Sequence, residues 1–358
     1  MRLLVYSPKC REECLFYKLL KLLDEHGWYS LGLGAHIKSR RIRVNGFQET
    51  ALRLLVWNWC VSSSTWIRGD VDHIVRDDGR EFRFILGPGS VRAEAALYQK
   101  LKPGCLTRRH LLDLLGEKPR PLIVVDLAQF SLHNLDELGS LRRQLAATLG
   151  VVREYLWDRH LLLTNTPPGL EAWLKPFMAS SFYQSTPLST DEALDVRGYD
   201  GLRILLDPNA PHELRREEVL EAEVFIVGGI VDKRPRPGAT SQLPIRRAVR
   251  RRIALRGSLV GLPNTINAIV DTVLRARYLY DGDVERALYD TIPPHEARIR
   301  AYAEIAKRKL REVNSLHYLE LVRWLPIRPH DFAKAARMAG AVLRIESSIL
   351  LSKDQSHH

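Results

Sequence analysis

The spacing of apolar residues changes character near residue 120. Before it, residues 11–25 are amphipathic, with Leu15, Leu19, Leu22 and Leu23 at helical spacing, and the pattern stops at Gly27. The stretches 41–45 (RIRVN), 52–60 (LRLLVWNWC), 65–75 (TWIRGDVDHIV) and 81–87 (EFRFILG) alternate or are rich in β-formers. Asp77-Asp78-Gly79 between the last two is a hairpin turn signal. This predicts a small α+β module over residues 1–118. Lys102-Pro103-Gly104 and the stretch 116–121 bracket a short helix at its end.

From Pro121 strands and helices alternate. A fully apolar strand at 122–126 (LIVVD) precedes a helix over 137–156, a strand at 160–164, a helix at 170–177 and a strand near 182–186. A helix then opens at Thr190 as N-cap, followed by a strand at 202–207 (LRILLD), a polar helix at 213–221, a strand at 224–231 and a helix at 265–278. The fold expected for residues 119–280 is therefore α/β with a parallel sheet. Beyond Asp281 the pattern is helical, over 284–290, 295–313 and 331–350, broken by Pro293-Pro294, Pro326 and Pro329. This predicts a helical unit over 281–358.

Composition narrows the class. The chain has 358 residues, 45% of them hydrophobic, as in a globular protein. No uninterrupted apolar run approaches the roughly 20 residues of a membrane span, and the first 20 residues carry acids and lysines, so a cytoplasmic protein is expected. Cys10, Cys14, Cys60 and Cys105 show no CxxC pairing, which favours buried thiols over a disulfide or a metal site. Trp28, Trp57, Trp59 and Trp66 gather among basic residues. They could stack on unpaired bases, but core packing is the favoured reading.

Net charge is +12, and Lys233, Arg234, Arg236, Arg246, Arg247, Arg250, Arg251, Arg252 and Arg256 contribute nine positive charges between residues 233 and 256 with no acid among them. Two readings compete for the arginines from 246 onward. Their i, i+4 spacing suits a solvated helix face. Nine uncompensated charges would also repel one another unless a polyanion neutralised them, and this favours RNA.

No GxxxxGK[ST], no strand-linked GxGxxG, no GxSxG and no HExxH occurs, and the histidines lack metal-ligand spacing. What remains is the apolar run 224–227 leading into Gly228 and Gly229, then Asp232 and the cationic loop. Strand ends of this kind are where α/β sheets bind ligands.

The segments ILLDPNAP (204–211), VFIVGGIVDK (224–233), SQLPI (241–245) and VGLPNTINAIVD (260–271) resemble the successive loops of the SPOUT methyltransferases, specifically the archaeal type of the tRNA purine-9 N1-methyltransferase family. The resemblance covers residues 120–280. It implies a parallel sheet with a C-terminal trefoil knot, S-adenosylmethionine as cofactor, no metal, tRNA as partner and a monomer. Carried over position by position, it implies that the cofactor is cradled by Leu206, Asp207 and Pro208, by Val227, Gly228, Gly229 and Ile230, by Leu243, Pro244 and Ile245, and by Val260, Gly261, Leu262, Pro263, Asn264 and Thr265.

Asp232 corresponds to the family's acidic residue beside the target base. Guanine N1 carries a proton that must leave as the nitrogen attacks a methyl group, and a carboxylate within hydrogen-bond reach can take it. Adenine N1 already presents a lone pair, so there the carboxylate would only orient the ring or stabilise charge on the product. Asp126 and Asp271 are the supporting catalytic candidates. Asn267 and Asp271 share a helix face, where either could equally cap or pair. Two alternatives stand beside the methyltransferase: an RNA-binding protein that kept the knot without the cofactor, and a SPOUT enzyme acting on another RNA or on a ribose hydroxyl.

Overall fold

A computed structural model describes residues 1–33, 45–231 and 238–344. At its centre the Leu122–Asp126 strand is buried at every position, as a strand covered on both faces must be. It belongs to a six-stranded sheet ordered Val249–Arg251, Arg203–Leu206, Val224–Gly228, Leu122–Asp126, Leu161–Thr164, Gln184–Ser185, and every pairing is parallel. Leu206 lies opposite Val227, and Gly228 opposite Asp126, so three neighbouring strands end at nearly one level. The loops leaving that edge build the site described below.

Two helices brace the edge. Leu135–Val152 opens with a reciprocal cap, in which the Asn134 side chain accepts from Glu137 N (2.9 Å) and Glu137 Oε2 accepts from Asn134 N (3.0 Å). Ile266–Tyr278 packs along it, and its first amide donates to Gln144 Oε1 at 2.9 Å. The helix expected to open at Thr190 starts there, but with Ser189 as its cap.

The N-terminal module holds a second six-stranded sheet, including the Arg68–Asp77 and Arg80–Arg92 hairpin. Its core runs without a break into the central one: Leu15, Phe16 and Phe47 belong to the same apolar cluster as Val125, Phe225 and Val270. Polar groups cross the seam as well. Gln48 Nε2 donates to the carbonyls of Arg153 (2.9 Å) and Leu156 (2.8 Å), and the buried Arg277 donates to both oxygens of Glu13 (2.6 and 2.7 Å). Residues 281–344 have a core of their own around Ala297, Ile305, Tyr318, Leu325 and Phe332.

Several expectations are corrected. Residues 52–60 are not a strand: Gly46–Trp57 is a helix capped by the Asn45 side chain. Ala51 to Val56 are all buried, so the helix shows no polar face and its sequence reads like a buried strand. Residues 41–44 of the RIRVN stretch lie outside the described residues. Cys10 and Cys14 form a disulfide rather than two thiols, because the Pro8–Glu13 helix breaks at an extended Cys14 and turns its side chain back; Cys60 and Cys105 are buried free thiols. Trp57 (42% exposed) and Trp66 (54%) are not core, while Trp28 and Trp59 pack partly buried against it. The C-terminal unit is not wholly helical, since Glu312–Asn314 pairs in parallel with Val342–Arg344 and the last helix among the described residues ends at Met338. The arginine run forms no helix either: Val249–Arg251 is the edge strand of the central sheet.

Candidate active site

The carboxyl ends of Arg203–Leu206 and Val224–Gly228 open into a cavity of about 550 Å³, the size range of small-molecule sites. Leu206, Asp207, Pro208 and Asn209 form one side, and Val227, Gly228, Ile230 and Val231 the next. Leu262, Pro263, Asn264, Thr265 and Ile266 close the third, with Gln144, Ile269 and Thr272 from the two bracing helices and Leu288 from the C-terminal core. The lining mixes apolar residues with the neutral polar Gln144, Asn209, Thr240, Asn264, Thr265 and Thr272, and Asp207 is its one charged residue among the described residues.

Asp207 is already engaged. Its Oδ1 accepts from Asn209 N (2.9 Å) and Ser241 Oγ (3.1 Å), and Arg250 Nη1 donates to Oδ2 (3.1 Å). Arg250 Nη2 also donates to the carbonyls of Leu243 (3.2 Å) and Ile245 (3.5 Å). One guanidinium thus ties the Asp207 turn to the segment carrying Leu243, Pro244 and Ile245. A ligand in this cavity would meet neutral amide and hydroxyl residues and no unpaired charge, which suits a nucleoside edge.

Of the residues expected to touch cofactor, Leu206, Asp207, Pro208, Val227, Gly228, Ile230, Leu262, Pro263, Asn264 and Thr265 line the cavity; Gly229, Leu243, Pro244, Ile245, Val260 and Gly261 do not. Gly229 serves packing: a Cβ there would lie 2.5 Å from Leu127 Cδ2 and 2.8 Å from the Asp126 carbonyl, which accepts the Gly229 amide. Gly261, with φ +72°, backs onto the Pro294–Lys307 helix, and a Cβ would come within 2.5 Å of the Glu296 carbonyl.

Asp232, Lys233, Arg234 and Arg236 lie outside the described residues. The chain just before them is held by His133, whose Nε2 accepts the Val231 amide at 3.0 Å while Nδ1 faces the Phe130 carbonyl at 3.0 Å. Asp126 is buried, and its carboxylate accepts from Ala128 N (2.8 Å), Thr190 Oγ1 (2.6 Å) and Asn165 Nδ2 (3.0 Å). Asp271 pairs with Arg275 Nε at 2.7 Å, and burial raises its pKa in spite of that cation. Neither lines the cavity.

Four arginines of the cationic run, Arg247, Arg250, Arg251 and Arg252, meet acids rather than standing free. Arg251 donates to both oxygens of the buried Glu218 (2.8 Å to each from Nε), Arg250 pairs with Asp207, Arg252 with Glu213 (3.4 Å) and Arg247 with Asp195 (2.5 Å). Arg246 gives its amide to Asp191 and Arg256 lies over the Trp324 ring. The acids come from distant stretches, which is why the run looks unopposed in the sequence.

Residues 151–257 match the family described as "Protein arginine N-methyltransferase SFM1-like". Over most of its length the chain is similar to a Thermococcus kodakarensis tRNA (guanine(9)-/adenine(9)-N1)-methyltransferase, 29% identical over 284 residues covering 74% of this chain and 72% of that protein. The chain is a homologue of the tRNA purine-9 N1-methyltransferases. A second such relative, the tRNA (adenine(9)-N1)-methyltransferase of Sulfolobus acidocaldarius, is 28% identical over 245 residues, covering 67% of this chain and 74% of its own. The fold is that of the crystal structure of Sulfolobus acidocaldarius Trm10 in complex with S-adenosylhomocysteine, at TM-score 0.65 and 20% identity, covering 92% of this chain and all of that one. Both purine-9 relatives extend well beyond the segment matched by the arginine methyltransferase family.

Proposed function

We propose that this protein transfers the methyl group of S-adenosylmethionine to N1 of the purine at position 9 of tRNA. The observation that carries this reading is the cavity of about 550 Å³ at the carboxyl ends of Arg203–Leu206 and Val224–Gly228, in a chain related over two thirds of its length to enzymes of that activity. Bound S-adenosylmethionine supplies an activated methyl group. The Asp207 turn, the cavity-lining residues of the 227–231 segment and the 262–265 loop would hold it. Asp232, next after the cavity-lining Val231, is assigned to the target base. For guanine it accepts the N1 proton as the N1–C bond forms and the C–S bond breaks; for adenine it orients the ring. Asp126 works at one remove, through the groups of Ala128, Asn165 and Thr190 that it holds, and Asp271 through Arg275 on its own helix.

The same reading takes 119–280 as the catalytic unit with its trefoil knot. Residues 1–118 and 281–358 are flanking units that grip tRNA, in a cytoplasmic protein acting as a monomer. Mass spectrometry of nucleosides from unmodified tRNA transcripts incubated with protein and S-adenosylmethionine tests it. Methyl at N1 of residue 9 is the expected product. With Asp232→Asn, loss of 1-methylguanosine marks a base, and persistence of 1-methyladenosine marks a positioning group. The SFM1-like match supports a second reading, in which a protein arginine is the acceptor; transfer to arginine with none to tRNA would replace the first.

A further inference from the structure

Arg247, Arg250, Arg251 and Arg252 are drawn into ion pairs, and among the described residues outside that run one cation stands out on a helix that also reaches the cavity through Gln144. Arg142, on the Leu135–Val152 helix, lies with its guanidinium carbon 4.2 Å from the centre of the Phe177 ring and 5.5 Å from that of Trp173. It has no ion-pair or hydrogen-bond partner among the described residues. Its Nε is buried against the rings without a partner, which leaves the Nη1–Nη2 edge as the part of the guanidinium open to a ligand. A cation held flat by aromatic faces keeps its fork oriented for a planar or tetrahedral oxyanion, and little side-chain freedom remains to be lost on binding.

The location agrees. Trp173 and Phe130 sit on segments leaving the same carboxyl edge as the cavity, and their rings meet edge to face at 5.6 Å. Phe130 in turn contacts His133, which holds the cavity-lining Val231. Arg143 and Lys175, next in sequence to this cluster, are exposed and form no ion pair among the described residues, while the nearby Glu171 accepts from Ser185 Oγ at 2.7 Å.

We propose that Arg142, clamped by Trp173 and Phe177, binds a backbone phosphate of the RNA strand that presents its base to the cavity. This rests on the tRNA reading above. A bidentate guanidinium–phosphate contact adds affinity without base preference, and releasing one condensed counterion changes the salt dependence of binding by a predictable amount.

Arg142→Met removes the charge while keeping a flexible apolar chain between the rings, and Arg142→Lys keeps the charge but not the fork. Binding of unmodified tRNA transcript is measured for each across a potassium chloride series, with S-adenosylhomocysteine binding by calorimetry alongside. Arg142→Met is expected to weaken tRNA binding roughly tenfold and lower the slope of log K against log salt by about one, with S-adenosylhomocysteine affinity unchanged and Arg142→Lys restoring the slope but only part of the affinity. Unchanged tRNA affinity and slope in Arg142→Met would overturn the proposal. So would a parallel loss of tRNA and S-adenosylhomocysteine affinity, which marks a packing role. Wild-type protein that binds no tRNA at all overturns the tRNA reading itself, and the proposal with it.

Discussion

His133 and Val231, nearly a hundred residues apart, meet where the ring's Nε2 accepts the Val231 amide at 3.0 Å. The opposite nitrogen faces the Phe130 carbonyl, so the hydrogen-bond pattern assigns the neutral ring with its proton on Nδ1. Removing the acceptor leaves a buried N–H unpaired next to the cavity, a cost of about 1–3 kcal/mol. His133→Ala should lower single-turnover methyl transfer about tenfold, the kinetic equivalent of about 1.4 kcal/mol, with a smaller effect on S-adenosylhomocysteine affinity. Substitution by Gln, which retains an acceptor, should recover part of the rate. Equal rates in wild type and His133→Ala would show that the contact is dispensable.

Gly261 is where the cavity wall touches the C-terminal unit. A Cβ there would press on the Glu296 carbonyl and lie 2.7 Å from Arg300 Cβ, and the positive φ would strain any other residue by about 1–2 kcal/mol. Gly261→Ala should therefore displace the 262–265 loop and weaken S-adenosylhomocysteine binding by about tenfold, read by calorimetry. Gly257→Ala, also at positive φ but with no atom nearer than 4.0 Å to the added carbon, carries the backbone strain alone and should leave binding closer to wild type.

Glu218 anchors the edge strand through Arg251. Burial by itself raises the Glu218 pKa, but hydrogen bonds from Arg251 and Arg215 outweigh it and bring the value down to about 2. A carboxylate depressed on folding contributes stability that is complete above its ordinary value of 4.5 and is lost as pH falls toward 2. Glu218→Gln should lower stability at neutral pH by about 3 kcal/mol and flatten the dependence between pH 4.5 and 2, measured by urea unfolding across pH.

His160 gives a second and separate acid window. It is buried at the amino-terminal edge of the central sheet, just before Leu161–Thr164, with Nδ1 2.8 Å from the Pro121 carbonyl, and burial lowers its pKa from 6.5 to about 4. The unfolded chain takes up this proton first, so stability is flat above pH 6.5 and falls as pH drops from 6.5 toward 4. His160→Asn should remove that slope while leaving the Glu218 window in place. An unaltered slope in the variant would assign it to another group.

The central domain was legible because its strands are short, continuous apolar runs separated by amphipathic helices, a pattern that few folds share. Leu122–Asp126 and Ile266–Tyr278 fall within a residue of where the spacing puts them. Legibility fails where burial erases the period, as in the Gly46–Trp57 helix, whose later turns have no polar side. It fails again for interactions across long separations. Nothing in residues 246–256 announces that Asp207, Glu218 and Asp195 will neutralise them. Gln144 and Leu288 reach the cavity from elements that sequence alone assigns only to packing. Loop motifs revealed one half of the site, and the half built from helix faces had no local signature.

Leu288 belongs to the C-terminal core, whereas Leu206 and Val227 belong to the core shared by the other two units, and all three line one cavity. A ligand there is gripped by two hydrophobic bodies at once, so its binding energy and their docking energy are thermodynamically linked. By reciprocity, the factor by which docking of the C-terminal unit raises ligand affinity is the factor by which the ligand favours docking, so a saturating ligand resists separation of the two bodies. A tRNA that contacts the C-terminal unit would then tune cofactor affinity from a distance, with no contact to the cofactor itself.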